Sequence, residues 1–294
     1  MNRITLPGIY GKIHNSVSQT QDRLADAYLE ITSGKRINRP SDDPVGTLQV
    51  MHLRRDSAMQ VQYERAADDA NQLLTASDTA LQNASDVLAS AIERLTQAGG
   101  FAGQDAVSRE AIAVDLDNLR DELLTIANRT HVGRPLFSGT MSPNPTFDSS
   151  GTYLGNASPI IRDIAEGETV QATIPGDGVF GTGVTSIIGA LTNAAAAVRS
   201  GDNAGRLVAQ TTFENGLQTF AVAQTQVGAR MRRVEVSMTN TTVRLDQNTE
   251  DISSIEDVDF EQAATKLRAL ELTYQATLTA AGRVAQFTLL DFLR

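Results

Sequence analysis

The chain has 294 residues, which is enough for two domains or for one body that carries an insertion. Its net charge is −10 and no segment is strongly basic, so the clustered cations of a nucleic-acid-binding surface are not expected. The absence of cysteine excludes disulfides, thiolate metal sites and cysteine nucleophiles.

The first predicted element is a helix within residues 1–40, which we expect to act as an N-terminal assembly helix. Its apolar stripe has spacings of 4, 3, 4, 4 and 3 and consists of Ile13, Val17, Thr20, Leu24, Tyr28 and Ile31. Gly34 then ends the helix. The run from Pro40 to Pro44 predicts a break and a restart, because Asp43 can cap the next helix and proline suits its first position.

Residues 41–137 are predicted to form the first half of a helical rod. The long helix of this segment ends at Gly99–Gly100, and its stripe consists of Tyr63, Ala66, Ala70, Leu74, Ser77, Leu81, Ala84, Leu88, Ala91 and Leu95. A third helix is predicted next, because apolar residues are spaced alternately four and three positions apart. They are Ile112, Leu116, Leu119, Leu123 and Ile126.

Residues 138–200 are rich in Gly, Pro, Ser and Thr and predict a small β-containing insertion. Two short strands, at 159–164 and 169–174, flank a turn, and residues 184–199 are expected to be helical. Gly176 to Gly181 matches the dinucleotide fingerprint, but the full motif needs a second parallel strand, and a turn and a heptad helix follow instead. A glycine-rich turn is therefore the favoured interpretation, and no cofactor is expected. The uncharged stretch 178–198 is too polar for a membrane span.

Residues 201–258 are predicted to form the second half of the rod. Their heptad stripe is typical of a coiled coil and consists of Phe213, Leu217, Phe220, Gln224, Val227, Met231, Val234, Met238, Thr241 and Leu245, extended by Asn248, Ile252 and Ile255. The acidic patch between Glu250 and Glu261 lacks the glycine and the ligand spacing of a calcium loop. We interpret it as a connection with capping residues that leads into the last helix.

Residues 259–294 are predicted to form a C-terminal assembly helix. Its stripe has an 11-residue repeat, and Leu272, Val284, Phe287 and Leu290 lie off it and give the helix further apolar faces. We therefore expect both ends to bury their stripes against neighbouring copies and to become ordered on assembly. The predicted N-terminal interface comprises Ile13, Val17, Leu24, Tyr28 and Ile31. The predicted C-terminal interface comprises Leu267, Leu270, Tyr274, Leu278, Ala281, Ala285, Leu289 and Phe292.

Together these elements predict a mainly α fold: an elongated antiparallel helical bundle or coiled coil made by both chain ends, with a small β-rich inserted domain. The three histidines are far apart and show no metal-ligand spacing, and Asp42 and Asp43 are interpreted as helix-capping residues. No catalytic, cofactor-binding or metal-binding residue is expected, so we predict that the chain is not an enzyme.

Four segments resemble those of bacterial flagellins and their relatives, in the same order along the chain. They are residues 33–46, residues 128–139 (with Pro135 where an aromatic residue is usual), residues 227–235 and the ending from Thr277. The family-motif residues are Gly34, Arg36, Ile37, Asn38, Pro40, Asp42, Asp43, Gly133, Arg134, Phe137, Gly139, Gly228 and Arg230.

Within the family, Lys35 and the Pro40–Pro44 run look more like those of hook–filament junction members than those of filament flagellins. The resemblance implies a ring of copies, with another hook-associated protein on the hook side and flagellin on the filament side. It also implies an extracellular location, reached through the flagellum's own channel with an export chaperone and without a cleaved signal peptide. No nucleic-acid or membrane partner is expected. Filament flagellin itself is the nearest alternative. An enzyme with a catalytic insertion and a receptor-type signalling coiled coil are the other two.

Overall fold

A computed structural model describes the backbone of residues 6–99 and 105–292 and the side chains of residues 11–99 and 105–283. The fold is mainly helical, as predicted. The helices are α1 (Leu6–Ser33), α2 (Pro44–Gly99), α3 (Ala106–Ala127), α4 (Asp177–Phe180), α5 (Ile187–Ser200), α6 (Asn203–Glu256) and α7 (Phe260–Phe292). The strands are β1 (Thr130–His131), β2 (Arg134–Pro135), β3 (Ile161–Ala165) and β4 (Glu168–Gln171).

The chain forms two compact units. Met1–Ala58 and Arg244–Arg294 make up the terminal unit, and Met59–Val243 makes up the inner unit. The boundaries fall inside α2 and α6, so each of these helices contributes to both units. The five segments expected from the sequence remain a prediction about roles in assembly.

In the terminal unit, α1 and α7 pack antiparallel. Lys266 Nζ lies 2.9 Å from Glu30 Oε1, and Tyr28 Oη donates a hydrogen bond of 2.7 Å to Glu271 Oε1. The residues that this helix pair covers are half-buried or buried, and on both helices they recur with a seven-residue period. They are Ile13, Val17, Thr20, Leu24, Ala27 and Ile31 on α1, and Ala263, Leu267, Leu270, Tyr274, Thr277 and Ala281 on α7.

Within the contact that α1 and α7 make, the predicted 11-residue repeat of α7 and the predicted position of Tyr28 in the α1 stripe are wrong. Ala27 is 1% exposed, whereas Tyr28 is 47% exposed. On α7, Thr277 takes the covered position and Leu278 is 44% exposed. Small side chains allow two helix backbones to approach, and the antiparallel pair therefore selects the register that brings Ala27 into the contact.

In the inner unit, α2 and α6 pack antiparallel, and the predicted stripes of α2, α3 and α6 point into the core. Gln224 on α6 donates a hydrogen bond of 3.3 Å to Gln82 on α2. The residues of the heptad stripe from Phe213 to Met238 are all buried or half-buried, which confirms the heptad prediction. Among the described residues, those of the continuous hydrophobic core of this unit lie between Ala67 and Met238.

The strand-containing middle also has the predicted elements. β3 and β4 form an antiparallel hairpin with Arg162 paired to Val170, and a bulge follows at Asp163–Ala165. Helix α5 lies where a helix was expected. It begins after Ser186, whose Oγ accepts the N–H of Gly189 at 2.9 Å, and ends at Gly201, whose φ of 73° suits glycine.

Candidate functional site

The first family motif forms a loop that is bonded to the connection between α6 and α7. The chain leaves α1 through Gly34, at φ 72°, and the carbonyl of Gly34 accepts the N–H of Val258 at 3.0 Å. Two residues later the N–H of Arg36 donates to the carbonyl of Glu256 at 2.7 Å. The Arg36 guanidinium also donates to the carbonyl of Ile255 at 2.7 Å. The motif therefore joins the two ends of the chain within the terminal unit.

A buried carboxylate lies under this loop. Glu256 has 8% exposure, and its two oxygens contact Lys35 Nζ at 2.9 Å and an Arg54 guanidinium nitrogen at 2.6 Å. Burial by itself raises the pKa of the Glu256 carboxyl, but the hydrogen bond from Lys35 and the charge of Arg54 outweigh it and lower that pKa. The acidic patch does supply a cap, because Asp259 accepts the N–H groups of Glu261 and Gln262, but the sequence did not indicate the role of Glu256, whose carboxylate binds Lys35 and Arg54 about 200 residues away.

The same loop positions the start of α2, as the sequence predicted. Asp43 Oδ1 accepts the N–H of Gly46 at 2.9 Å, and Pro44 occupies the first helical position. Asp42, which was also predicted to cap α2, does not do so: its Oδ2 accepts the N–H groups of Asn38 and Arg39 within the loop, at 3.1 and 2.8 Å. A Cβ on Gly46 would come within 2.8 Å of the Ile37 side chain. Glycine at this position therefore allows the buried Ile37 to pack against α2.

The carboxylates of Asp43 and Glu256 predict that the terminal unit loses stability at acidic pH. The N–H of Gly46, followed by the Arg36 guanidinium, lowers the pKa of Asp43, and the pKa of Glu256 is lowered as well. A carboxylate whose pKa is lower in the folded state than in the unfolded state stabilises the fold at pH values above its unfolded-state pKa. This contribution is lost as the pH falls through the folded-state pKa. Urea melts that follow the terminal unit should therefore show constant stability from pH 7 to about pH 5 and a decline below about pH 4.5.

The matched variants for this prediction are Glu256→Gln and Glu250→Gln. Glu256→Gln removes a buried charge and should flatten the decline. Glu250 is exposed on the same helix, and its substitution should leave the profile unchanged. Equal profiles for both variants would contradict the role of the Lys35–Glu256–Arg54 cluster.

The second family motif turns the chain from α3 into the insertion. Val132 and Gly133 have φ angles of 48° and 74° and form the turn of the β1–β2 hairpin, which accommodates Pro135 opposite Thr130. Gly139, at φ 72°, lies so close to the carbonyl of Asn156 that a Cβ would overlap it. Glycine is therefore required at Gly139 both by its backbone angle and by the available space.

Phe137, in the same motif, belongs to an aromatic cluster in the inner core. Its ring meets that of Phe180 edge to face, with centroids 5.1 Å apart. Its carbonyl accepts the Tyr153 hydroxyl at 2.8 Å. Burial, followed by the charge of Asp177, raises the pKa of Tyr153 to about 12, so the hydroxyl remains a donor at neutral pH. Arg134, in contrast, is exposed.

The third family motif holds the β3–β4 hairpin against α6. Arg230 donates to the carbonyl of Thr173 at 3.3 Å and to Gln171 Oε1 at 2.7 Å, and burial lowers the pKa of its guanidinium. Arg233 forms an ion pair of 2.6 Å with Glu168 on β4. Gly228, one turn before Arg232, is half-buried. This motif therefore has a structural role inside the inner unit.

The structure brings most of the predicted assembly residues together between α1 and α7. Ile13, Val17, Leu24, Ile31, Leu267, Leu270, Tyr274 and Ala281 are half-buried along that contact. Leu278 is exposed outside that contact, and Tyr28 is exposed although its hydroxyl donates to Glu271 on α7. The side chains of Ala285, Leu289 and Phe292 lie outside the described residues. Ala27 and Thr277 were missed, although the heptad alternative to the 11-residue repeat could have identified them.

The structure also shows the environment of the glycine-rich segment and of the three histidines considered in the sequence. The Gly176–Gly181 segment forms α4 and its caps, and the strands before it are antiparallel, so the βαβ context of a dinucleotide site is missing from the described middle of the chain. His14 and His52 are exposed and His131 is half-buried. Among the residues placed in the structure, no His, Asp and Glu side chains gather as metal ligands would, and no helix has the length and apolarity to cross a membrane.

Comparisons with known proteins agree with the positions of these motifs. Residues 8–142 match a model of the bacterial flagellin N-terminal helical region, and residues 211–293 match one of the bacterial flagellin C-terminal helical region. Flagellar hook-associated protein 3 of Salmonella typhimurium is 27% identical over 180 residues, which cover 60% of this chain and 56% of that protein. Flagellin B of Helicobacter pylori is 33% identical over 125 residues, 42% of this chain and 24% of that protein.

Solved structures show the same fold. Flagellar hook-associated protein 3 from Legionella pneumophila superposes with a TM-score of 0.61 at 14% identity, over 70% of this chain and 98% of that one. The alignment with the Salmonella protein spans little more than half of that relative's length.

Proposed function

The chain belongs to the bacterial flagellin family, and on that premise we propose that it is a structural subunit of the junction between hook and filament. Its copies form a ring that contacts another hook-associated protein on the hook side and flagellin on the filament side. The subunit works outside the cell and reaches its place through the flagellar channel, with an export chaperone. It binds no cofactor and catalyses no reaction.

The observation that carries this proposal is the incomplete burial of the paired terminal helices. The α1–α7 contact covers one stripe of each helix, and the covered positions other than Ala27 and Ala263 are only half-buried. Large apolar side chains remain exposed beside this contact. They are Leu29, Leu272 and Leu278, with Leu272 exposed to 73%, and Tyr28, although its hydroxyl bonds to Glu271 on α7. A helix with more than one apolar face needs more than one partner, and neighbouring copies supply the others.

Filament flagellin is the second candidate, because Flagellin B of Helicobacter pylori is also similar to part of the chain. The similarity to hook-associated protein 3 extends over more of the chain and favours the junction. The two candidate functions predict different polymerisation behaviour. On seed filaments, a flagellin elongates without limit, whereas a junction protein should add a short layer and stop.

Electron microscopy of the native bacterium without this gene tests the proposal. We expect hooks without filaments, and flagellin monomers in the medium. Reintroduction of the wild-type gene should restore filaments. Normal filaments on the deletion strain would refute the proposed role.

A single substitution separates assembly from folding. Leu278→Asp places a charge on an exposed side chain outside the α1–α7 contact, so the unfolding free energy of the purified chain should change by no more than about 0.5 kcal/mol. In an assembled ring the charge would be buried without a partner, and filament attachment should fall at least about tenfold. The measurements are urea melts and filament counts by microscopy.

Gln275→Asp is the matched control for Leu278→Asp. Gln275 is exposed and polar on the same helix, and the substitution adds the same charge. We expect near-normal filament counts for this variant. Equal losses for both variants would show a general effect of charge on α7, and normal counts for Leu278→Asp would remove Leu278 from the interface.

A further inference from the structure

The connections that join the terminal helices α1 and α7 to α2 and α6 run side by side. Lys35 in the first connection pairs with Asp257 in the second, in antiparallel orientation, and a backbone hydrogen bond lies on each side of this pair. The second connection consists only of residues 257–259. We name the paired segments, residues 34–36 and 256–258, the terminal joint. Because both terminal helices leave through this joint, whatever fixes its geometry orients α1 and α7 together.

Polar contacts, rather than apolar packing, hold the terminal joint. Among its residues, all of which the structure describes, only Glu256 is buried, and its side chain is a carboxylate. Phe260, at the start of α7, is 60% exposed and provides little apolar cover. Hydrogen bonds and ion pairs are directional, whereas apolar burial is not. A joint of this kind therefore defines an orientation.

The Glu256 carboxylate is the point at which three segments of the terminal unit meet. Glu256 is the last residue of α6, Lys35 follows α1, and Arg54 lies on α2. One carboxylate oxygen lies 2.9 Å from Lys35 Nζ, and the other lies 2.6 Å from an Arg54 guanidinium nitrogen. Burial of the carboxylate offsets part of this attraction, so the net contribution of the cluster to the unfolding free energy is limited. Beyond stability, the cluster supplies a fixed geometry.

We propose that Glu256 is a positioning residue for assembly. By holding Lys35 and Arg54 on one carboxylate, it fixes the direction in which the paired helices α1 and α7 leave the ends of α2 and α6 within the terminal unit. A copy whose terminal helices point in one direction is preorganised for the ring, whereas a copy that samples many directions is competent for only part of the time. This inference rests on the proposed ring of copies and names the residue that prepares each copy for it.

Glu256→Gln tests the inference, because it keeps the size of the side chain and removes the charge that binds both cations. In the complemented deletion strain, filament attachment should fall at least about fivefold, since fewer copies are competent at any moment. Glu250→Gln makes the same change at an exposed position of α6 and should leave attachment unchanged. Normal attachment with Glu256→Gln, or equal losses with both variants, would overturn the inference.

Spin labels measure the direction itself, because the sequence contains no cysteine that would compete with introduced ones. Thr249→Cys on α6 and Thr265→Cys on α7 place one label on each side of the joint, and both threonines are exposed. The distribution of distances between the labels, measured by double electron–electron resonance, should become about twice as wide when Glu256→Gln is added. An unchanged distribution would overturn the inference, even for a less stable variant.

A disulfide across the joint tests rescue by geometry alone. The hydrogen bonds beside Lys35 and Asp257 come from neighbouring residues, so these two form a non-hydrogen-bonded pair. The Cα atoms of such a pair lie about 4.5 Å apart, a separation that a disulfide can span. The triple variant Lys35→Cys/Glu256→Gln/Asp257→Cys should therefore regain filament attachment in an oxidising medium and lose it when a reducing agent is added. The strain with the wild-type gene should not respond to the reducing agent. A disulfide that forms, as shown by mass spectrometry, without rescue would overturn the inference.

Glu256→Met separates positioning from stability. Methionine suits a buried position, and the side chains of Lys35 and Arg54 are 44% and 55% exposed, so water can solvate both cations. The urea midpoint of the terminal unit should therefore stay close to that of the wild-type chain. Filament attachment should nevertheless fall as it does with Glu256→Gln, and normal attachment would overturn the inference.

The inference and the proposed function can fail separately in these experiments. A deletion strain without filaments, together with normal attachment for Glu256→Gln and Glu256→Met, would overturn the positioning role and leave the junction role intact. Normal filaments on the deletion strain would instead refute the junction role.

Discussion

A chain that ends at Asp259 should fail to support filaments, while its inner unit unfolds at the same temperature as in the full chain. The truncation removes α7, and with it the stripe that covers α1 from Ile13 to Ile31. The truncation leaves the apolar face of α1 without its partner, and most helix stability in proteins comes from the packing of such a face. Filament attachment should therefore fall below detection in the complemented deletion strain.

The inner unit should not respond to this truncation, because the described side chains of its core belong to that unit. They all lie between Ala67 and Met238. The melting temperature of the inner unit should therefore change by less than about 2 °C, when followed by circular dichroism. The far-ultraviolet signal before the transition should be smaller, since two helices are lost or frayed.

Deletion of residues 2–33 is the reciprocal control for the truncation. It removes α1 and leaves α7 without its partner, so we expect the same loss of attachment and the same inner-unit transition. An inner unit that unfolds together with the truncated end would contradict the division into two units. Attached filaments with either variant would refute assembly through the chain ends.

The helical framework was predictable because its signals are local or periodic. The heptad residues of α6 are covered as expected, since every third or fourth side chain of a helix must face the same neighbour. The caps followed from the sequence for a similar reason. Asp43 and Asp259 each accept an N–H in the first turn of the helix that follows, and only the nearest residues can reach those groups.

The contacts between distant segments were not predictable in the same way. Two apolar registers, one with Tyr28 and one with Ala27, are compatible with the sequence of α1, and the partner helix decides between them. Glu256 belongs to a run of acidic residues and shows no local sign that Lys35 and Arg54 surround it. The aromatic cluster likewise joins residues from α6, the second family motif and the glycine-rich segment that resembles a dinucleotide fingerprint.

That cluster provides the substitution with the largest expected effect on the inner unit, Phe180→Ala. The Phe180 ring is fully buried, and it lies 5.1 Å from Phe137, 5.6 Å from Phe147 and 5.4 Å from Phe220, measured between ring centroids. Its removal leaves a cavity among three rings and should lower the unfolding free energy of this unit by about 3–5 kcal/mol. The melting temperature should fall by more than about 6 °C.

Phe260→Ala makes the same chemical change at a side chain that is 60% exposed in the terminal unit, and its effect is measured on the transition of that unit. We expect a loss of less than about 1 kcal/mol from this variant. Phe180→Leu keeps most of the buried volume, and its loss of stability should lie between those of the other two variants.

Because α4 lies between the β3–β4 hairpin and α5 in the chain, Phe180→Ala should speed amide exchange in that hairpin before it affects α1 or α7. Equal losses from Phe180→Ala and Phe260→Ala would contradict an aromatic core beneath the insertion, and exchange that rises first in α1 would contradict the independence of the two units.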